Sequence, residues 1–135
     1  MDVTLLYTDN FHQMTLHRDG RVQVMKWLPG SAAMNAMHFR GALFTNAAFA
    51  LQTKPRGILI DTTDFAAVDA PGPDMMDWRA AHIAPLYNES GIRKFAFYIG
   101  PEGEIPPVDG RKMPKEAFPT RWFNSRGEAL AWLAS

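Results

Sequence analysis

ILIDTTDFAAVDAPG, from Ile58 to Gly72, decides how the rest of the chain is read. Gly57 to Asp61 is a short unbroken apolar run, the pattern of a strand buried on both faces. The chain leaves it through Asp61, Asp64 and Asp69, crosses Pro71-Gly72, and meets a helical pattern that starts near Pro73 or Asp74. A buried strand followed by a loop and a helix is half of a parallel crossover, so the sheet is expected to be parallel from here on.

Upstream the pattern differs. Val3 to Thr8, Phe11 to His17 and Arg21 to Leu28 read as strands, the last two joined through Arg18-Asp19-Gly20-Arg21. Asp-Gly between alternating runs signals a hairpin, because the turn needs positive φ. Val22, Val24 and Lys26 share one face of the third strand; Gln23, Met25 and Trp27 share the other. Pro29-Gly30 ends it, and Ser31 is placed to cap a long helix reaching about Gln52. Met34, Met37, Gly41, Phe44, Ala48 and Leu51 form one stripe of this helix. Ala36, Phe39, Leu43, Ala47 and Ala50 form another beside it. One stripe is expected on the sheet; the other needs a neighbouring helix or a second subunit.

Downstream, the second helix runs towards Asn88 with Met76, Ala80, Ile83 and Tyr87 as its core stripe, and Pro85 is expected to kink or shorten it. Lys94 to Ile99 is a strand. Positions 100 to 115, rich in Pro and Gly, read as an irregular loop. Arg121-Trp122-Phe123 is a short strand. Asn124 or Ser125 caps a last helix that buries Ala129, Leu130, Trp132 and Leu133. The predicted order is β-β-β-α-β-α-β-β-α, an α/β fold in a single domain over residues 1–135.

Composition narrows the function. Lys+Arg and Asp+Glu balance at 14 each, so no excess positive charge exists to neutralise a phosphate backbone, and nucleic acid is excluded as the expected partner. The absence of cysteine removes disulfides, thiol catalysis and thiolate metal sites. Met1-Asp2-Val3-Thr4 lacks the basic and apolar regions of a signal peptide, and no apolar run approaches the ~20 residues of a membrane span. The expectation is a cytoplasmic domain with no membrane span.

Three segments carry a family resemblance: GILIDTTDFAAVDAPG, HIAPLYNESGIRKFAFYIG and the terminal RWFNSRGEALAWL. With the element order, they make the chain similar to the STAS-like, or SpoIIAA-like, domains of sulfate transporters and anti-sigma factor antagonists. The resemblance implies a mixed sheet with helices packed mainly on one face, and a family built around protein–protein contact. In the antagonists the loop ends in Asp-Ser-Ser-Gly and a partner kinase phosphorylates a serine. The matching positions here are Asp69, Ala70, Pro71 and Gly72. Phosphorylation needs an oxygen nucleophile, and neither Ala70 nor Pro71 has one, so the phosphoswitch does not carry over.

The candidate site residues follow. Asp61, Asp64, Asp69, Asp74 and Asp77 cluster around the loop and the start of the second helix. Capping by Asp69 or Asp74, with Asp61 satisfying loop amides, is the plainer reading. A hard-cation site is the sharper one, although the spacing matches no Ca²⁺ loop. His12, His17, His38 and His82 show no i, i+4 pairing of a zinc site, and no metal or cofactor is expected. His12 and His17 should point to opposite faces of their strand. P-loop, G-x-S-x-G and G-x-G-x-x-G motifs are absent.

Three functions compete. The first is a non-enzymatic binding or regulatory domain, expected to be a homodimer through Met37, Phe39, Phe44 and Phe49. The second is a binding protein for a small apolar or amphipathic ligand, with Asp61, Asp69, Trp78, Arg79 and His82 as ligand-binding candidates. Its pocket would lie between the second helix and loop 100–115. The CRAL-TRIO lipid-binding proteins, whose architecture is related, lend it analogy. The third is a hydrolase-like enzyme using His82 and an Asp as its base.

Overall fold

The computed structural model describes residues 3–17 and 21–135. The expected turn at Arg18-Asp19-Gly20 lies outside the described residues. The strands are β1 (Val3–Thr8), β2 (His12–His17), β3 (Val22–Trp27), β4 (Gly57–Asp61), β5 (Lys94–Tyr98), β6 (Arg111–Lys112) and β7 (Pro119–Phe123). The helices are α1 (Ala36–Thr53), α2 (Met75–His82), α3 (Ala84–Ser90) and α4 (Arg126–Ala134). They build a mixed α/β fold on a seven-stranded sheet of order β1-β2-β3-β4-β5-β7-β6. The β1–β2, β2–β3 and β6–β7 pairs are antiparallel. The β3–β4, β4–β5 and β5–β7 pairs are parallel; the first two are joined through helices, α1 and α2–α3, and the third through loop 100–115 and β6.

Period-two alternation sorts the side chains into two layers. Met25 and Trp27 of β3, Ile58 and Ile60 of β4, and Phe95 of β5 face α1, α2 and α3. Val22, Val24, Leu59, Ala96 and Phe123 face α4 on the other side. Three helices thus share one face and one covers the other. All five residues of β4 are buried, as an apolar run between two layers requires. At its start the backbone passes close under α4: a Cβ on Gly57 would lie 2.8 Å from Leu133 Cδ2.

Three details differ from the sequence reading, and a fourth, the break of the second helix near Pro85, follows it. Ser31 caps nothing; it is buried in a 3-10 turn over Pro29–Ala33, and its hydroxyl accepts a 3.0 Å bond from the Ala66 N–H. The cap of α1 is Asn35, whose Oδ1 accepts from the His38 N–H at 2.9 Å while His38 Nδ1 accepts from the Asn35 N–H at 3.2 Å. This reciprocal box works with an imidazole where a Glu or Gln is usual. The second helix is two helices meeting at Ile83. Pro85 lacks an N–H, and its ring would collide with the carbonyl four residues back, so the helical register restarts. Finally, loop 100–115 contributes β6 to the edge of the sheet.

The inner stripe of α1 holds an unexpected polar residue. Asn46 is fully buried beside Ala47 and Ala50. Its Nδ2 donates to the Tyr87 hydroxyl at 2.8 Å, and its Oδ1 accepts from Gln23 Nε2 at 2.8 Å. Gln23 Oε1 accepts in turn from the Thr53 hydroxyl at 3.0 Å. This chain ties β3, α1 and α3 together, and Gln23 and Asn46 are buried only because both are paired.

Candidate functional site

The break at Ile83 shapes the site. Helix α3 buries Ala84, Tyr87 and Ser90, whereas α2 buries no residue at all. Of the expected core stripe, Ile83 and Tyr87 are buried, Ala80 is half-buried and Met76 is exposed. Helix α2 therefore stands off the sheet, and a cavity of about 220 Å³ lies beneath it. Trp27, Ile60, Phe95 and Phe97 form the floor, and Phe39 and Leu43 of α1 form one wall. Met75, Met76, Arg79, Ile83 and Tyr87 close the top and far end. A more open hollow of about 160 Å³, reaching Thr62 and Phe65, shares Trp27, Phe39, Pro71 and Phe97 with it.

Aromatic packing fixes the walls. Trp27 stacks on Phe39 at 5.5 Å between ring centroids, and Phe65 meets both rings edge-on. Phe97 stacks on Trp122, and Phe95 packs against Tyr87 and Phe118.

One charged pair enters this apolar setting. Arg79 Nη1 forms an ion pair with Glu116 Oε2, and the Glu116 side chain is wholly buried. The guanidinium lies 5.1 Å from the Phe95 ring centroid and 5.9 Å from that of Tyr87. Glu116 Oε1 also accepts from the Thr120 hydroxyl at 3.3 Å. Burial raises the Glu116 carboxyl above its ordinary range, and the Arg79 charge and hydrogen bond oppose that rise. Burial likewise pushes the Tyr87 phenol up to about 12. Arg79 Nη2 is buried with no hydrogen-bond partner among the described residues. Asn88 of α3 positions Glu116: it donates to the Lys115 carbonyl at 2.7 Å and accepts from the Ala117 N–H at 2.9 Å.

The structure does not gather the five ligand-binding candidates. Arg79 alone lines the cavity. Asp61 lies on the α4 side of the sheet, accepting from the Thr63 N–H and hydroxyl, with Arg126 Nε 3.9 Å away. Asp69 is exposed in the loop. Trp78 packs against Phe44 and the Arg40 guanidinium of α1 and against His82, and does not line the cavity. His82 is exposed, and α2 is on the face of the sheet opposite Asp61, so that pair cannot act as base and orienter. Asp74 occupies the N-cap position of α2 without a side-chain cap bond. Among the described residues no three His, Asp or Glu side chains are grouped to hold a metal ion.

The expected interface also divides. Met37 is 80% exposed and Phe44 42% exposed, but Phe39 is buried against Trp27 and Phe49 is half-buried beside Tyr7. Phe39 belongs to the inner stripe, and its place on a surface is corrected accordingly. The pocket expected under loop 100–115 lies instead between α1, α2 and the sheet, and no residue of that loop lines it.

At the loop, Ala70 is buried and donates its N–H to the Ala67 carbonyl at 3.0 Å, while Pro71 lines both hollows. Sequence reasoning missed Glu116, Asn46 and the aromatic floor. The floor had a signal, since Phe95 and Phe97 alternate onto one face. Glu116 had none, because it follows an aperiodic loop.

No helix among the described residues is long and apolar enough to cross a membrane. No family model matches the chain. No solved structure matches it. A dihydroxy-acid dehydratase of Synechococcus sp. (strain JA-3-3Ab) is 39% identical to it over 62 residues, a match covering 46% of this chain and 11% of that enzyme. Neither share is large enough to place the chain in that enzyme's family.

Proposed function

We propose that this chain is a non-enzymatic, STAS-like binding domain that takes up a small apolar or amphipathic ligand beneath α2. One observation carries the reading: a cavity of about 220 Å³ walled by aromatic and aliphatic side chains, with Pro71 among them. Apolar walls with one convergent polar group are the usual make-up of a small-molecule site. The strand–loop–helix from Gly57 to α2 supports the STAS-like part, and Pro71 turns the place of a phosphoacceptor into a piece of cavity wall. Ethylbenzene tests the binding. It should raise the melting temperature in a concentration-dependent way, because a ligand that binds only the folded state stabilises it. An unchanged melting curve at saturating ethylbenzene overturns the reading.

A second reading, self-association through α1, has its own support. Met37, Gly41, Phe44 and Ala48 are all exposed and alternate large with small along one line, and a Gly41 Cβ would meet no side chain of the described residues beyond its chain neighbours within 4 Å. A second copy related by a two-fold axis could seat its Met37 or Phe44 in that notch. Sedimentation velocity should show a dimer that Phe44→Glu dissociates; a monomer at micromolar concentration sinks this reading.

A further inference from the structure

The face of the sheet opposite the cavity carries another hollow, of about 210 Å³. We propose that it binds a small oxyanion, of the kind a phosphate or sulfate group presents, held by Arg126 and His17.

The fold leaves this hollow open. Helix α4 packs against β3, β4, β5 and β7. At the edge of the sheet β1 pairs with β2, and on the α4 side it leaves Val3 42% and Leu5 56% exposed. Period-two alternation decides which side chains face the gap. Met14 of β2 and Met25 of β3 belong to the core under α1. Gln13, Thr15, His17, Val24 and Lys26 therefore point to the α4 side, where they line the hollow with Arg126.

Register places the charges. Lys26 stands opposite Gln13 at one end of the hollow. His17 is at the other, four residues along β2, or about 13 Å away by strand rise. Arg126 acts on both ends. Its Nε is 3.9 Å from Asp61, the register partner of Lys26, and its charge helps to hold down the His17 pKa.

The chemistry is one-sided. Lys26 and Arg126 only donate, as does His17 once protonated, and Thr15 and Gln13 add a hydroxyl and an amide donor. No carboxylate is among the described residues that line the hollow. The cations are accessible: the Lys26 side chain is 46% exposed and that of Arg126 42%. Asp64 stands 4.0 Å from Lys26 and Asp61 3.9 Å from Arg126, beyond hydrogen-bond length, so each offsets charge without using up a donor. Long-range attraction is therefore weak, and an anion gains mainly from charge-assisted hydrogen bonds inside the hollow. It also relieves the repulsion between Arg126 and protonated His17.

Sulfate tests the site, because its charge is constant while histidine titrates. The His17 pKa is read from its ring ¹H–¹³C signals in sodium sulfate and in sodium chloride at equal ionic strength, which matches the screening. Binding that favours protonated His17 must raise its pKa by the same coupling. The expected rise at saturating sulfate is about half a pH unit or more, an about threefold preference for the protonated form. Arg126→Gln should abolish that rise. Should the variant not fold, amide mapping of the wild type decides: sulfate should give saturable shifts at Thr15 and Val24. No difference between the two salts, an equal rise in Arg126→Gln, or shifts at Thr15 and Val24 that never saturate overturns the site.

Discussion

Arg79 on α2 and Glu116 at the approach to β7 form an ion pair across 37 positions of sequence, with the Glu116 side chain entirely out of water. It fastens a helix that buries none of its own residues to the segment entering the sheet. Breaking a buried pair from one side strands a charge and costs about 3–5 kcal/mol, whereas replacing both partners by apolar residues is close to neutral. Arg79→Met should lower the unfolding free energy in urea by about that amount, and Arg79→Met with Glu116→Met should recover most of it. A single variant as stable as wild type contradicts the burial of the pair.

The chain from Thr53 through Gln23 and Asn46 to Tyr87 makes the second prediction. Asn46→Ala removes a donor to Tyr87 and an acceptor from Gln23 in a dry interior. The cost should be about 1–3 kcal/mol, read from chemical denaturation. Asn46→Ala and Tyr87→Phe should also be non-additive, because they delete the same bond.

Gly30 is a packing requirement. A Cβ there would lie 2.1 Å from the Asn10 carbonyl oxygen, a backbone atom with no rotamer to escape into. Gly30→Ala should therefore cost about 1–3 kcal/mol or more, the range for overpacked interiors. A melting temperature within a degree of wild type would show that the turn after β3 yields freely.

His12 makes stability depend on pH. It is buried, stacks on Tyr7 at 5.2 Å, and has no partner for Nδ1 among the described residues. Burial lowers its pKa and Asp9 only partly offsets this. The unfolded chain, titrating near pH 6.5, thus binds a proton that the folded chain resists. Stability is complete above about pH 6.5 and is lost as pH falls through the lower folded value. His17, lowered by burial and by Arg126, acts in the same direction. Urea midpoints should drop between about pH 7 and pH 5, and His12→Gln should flatten part of that slope.

Periodicity made the sheet legible. Alternation in Val22 to Trp27 assigned both faces of β3 correctly, and the unbroken run at Gly57 gave a strand buried on all sides. Ser125 was readable as a cap because its hydroxyl acts locally, accepting from the Glu128 N–H at 3.2 Å. The α1 cap was misplaced because Ser31 and Asn35 are both competent, and a tertiary bond from Ala66 claims the serine. The cavity was out of reach for a similar reason. Pro85 announces a break, but how far α2 then lifts depends on Glu116, which no local pattern links to Arg79. The acids around α2 drew attention away from the apolar wall that Pro71 helps to form.

Chemical-shift mapping of the ¹⁵N-labelled protein during an ethylbenzene titration is the most direct measurement of whether the space beneath α2 holds a ligand. Saturable shifts should centre on the Trp27 indole N–H and on the amides of Phe39, Leu43, Ile83 and Phe97, leaving α4 unmoved. Shifts that never saturate, or that cluster on exposed Met37 and Phe44 instead, would contradict it.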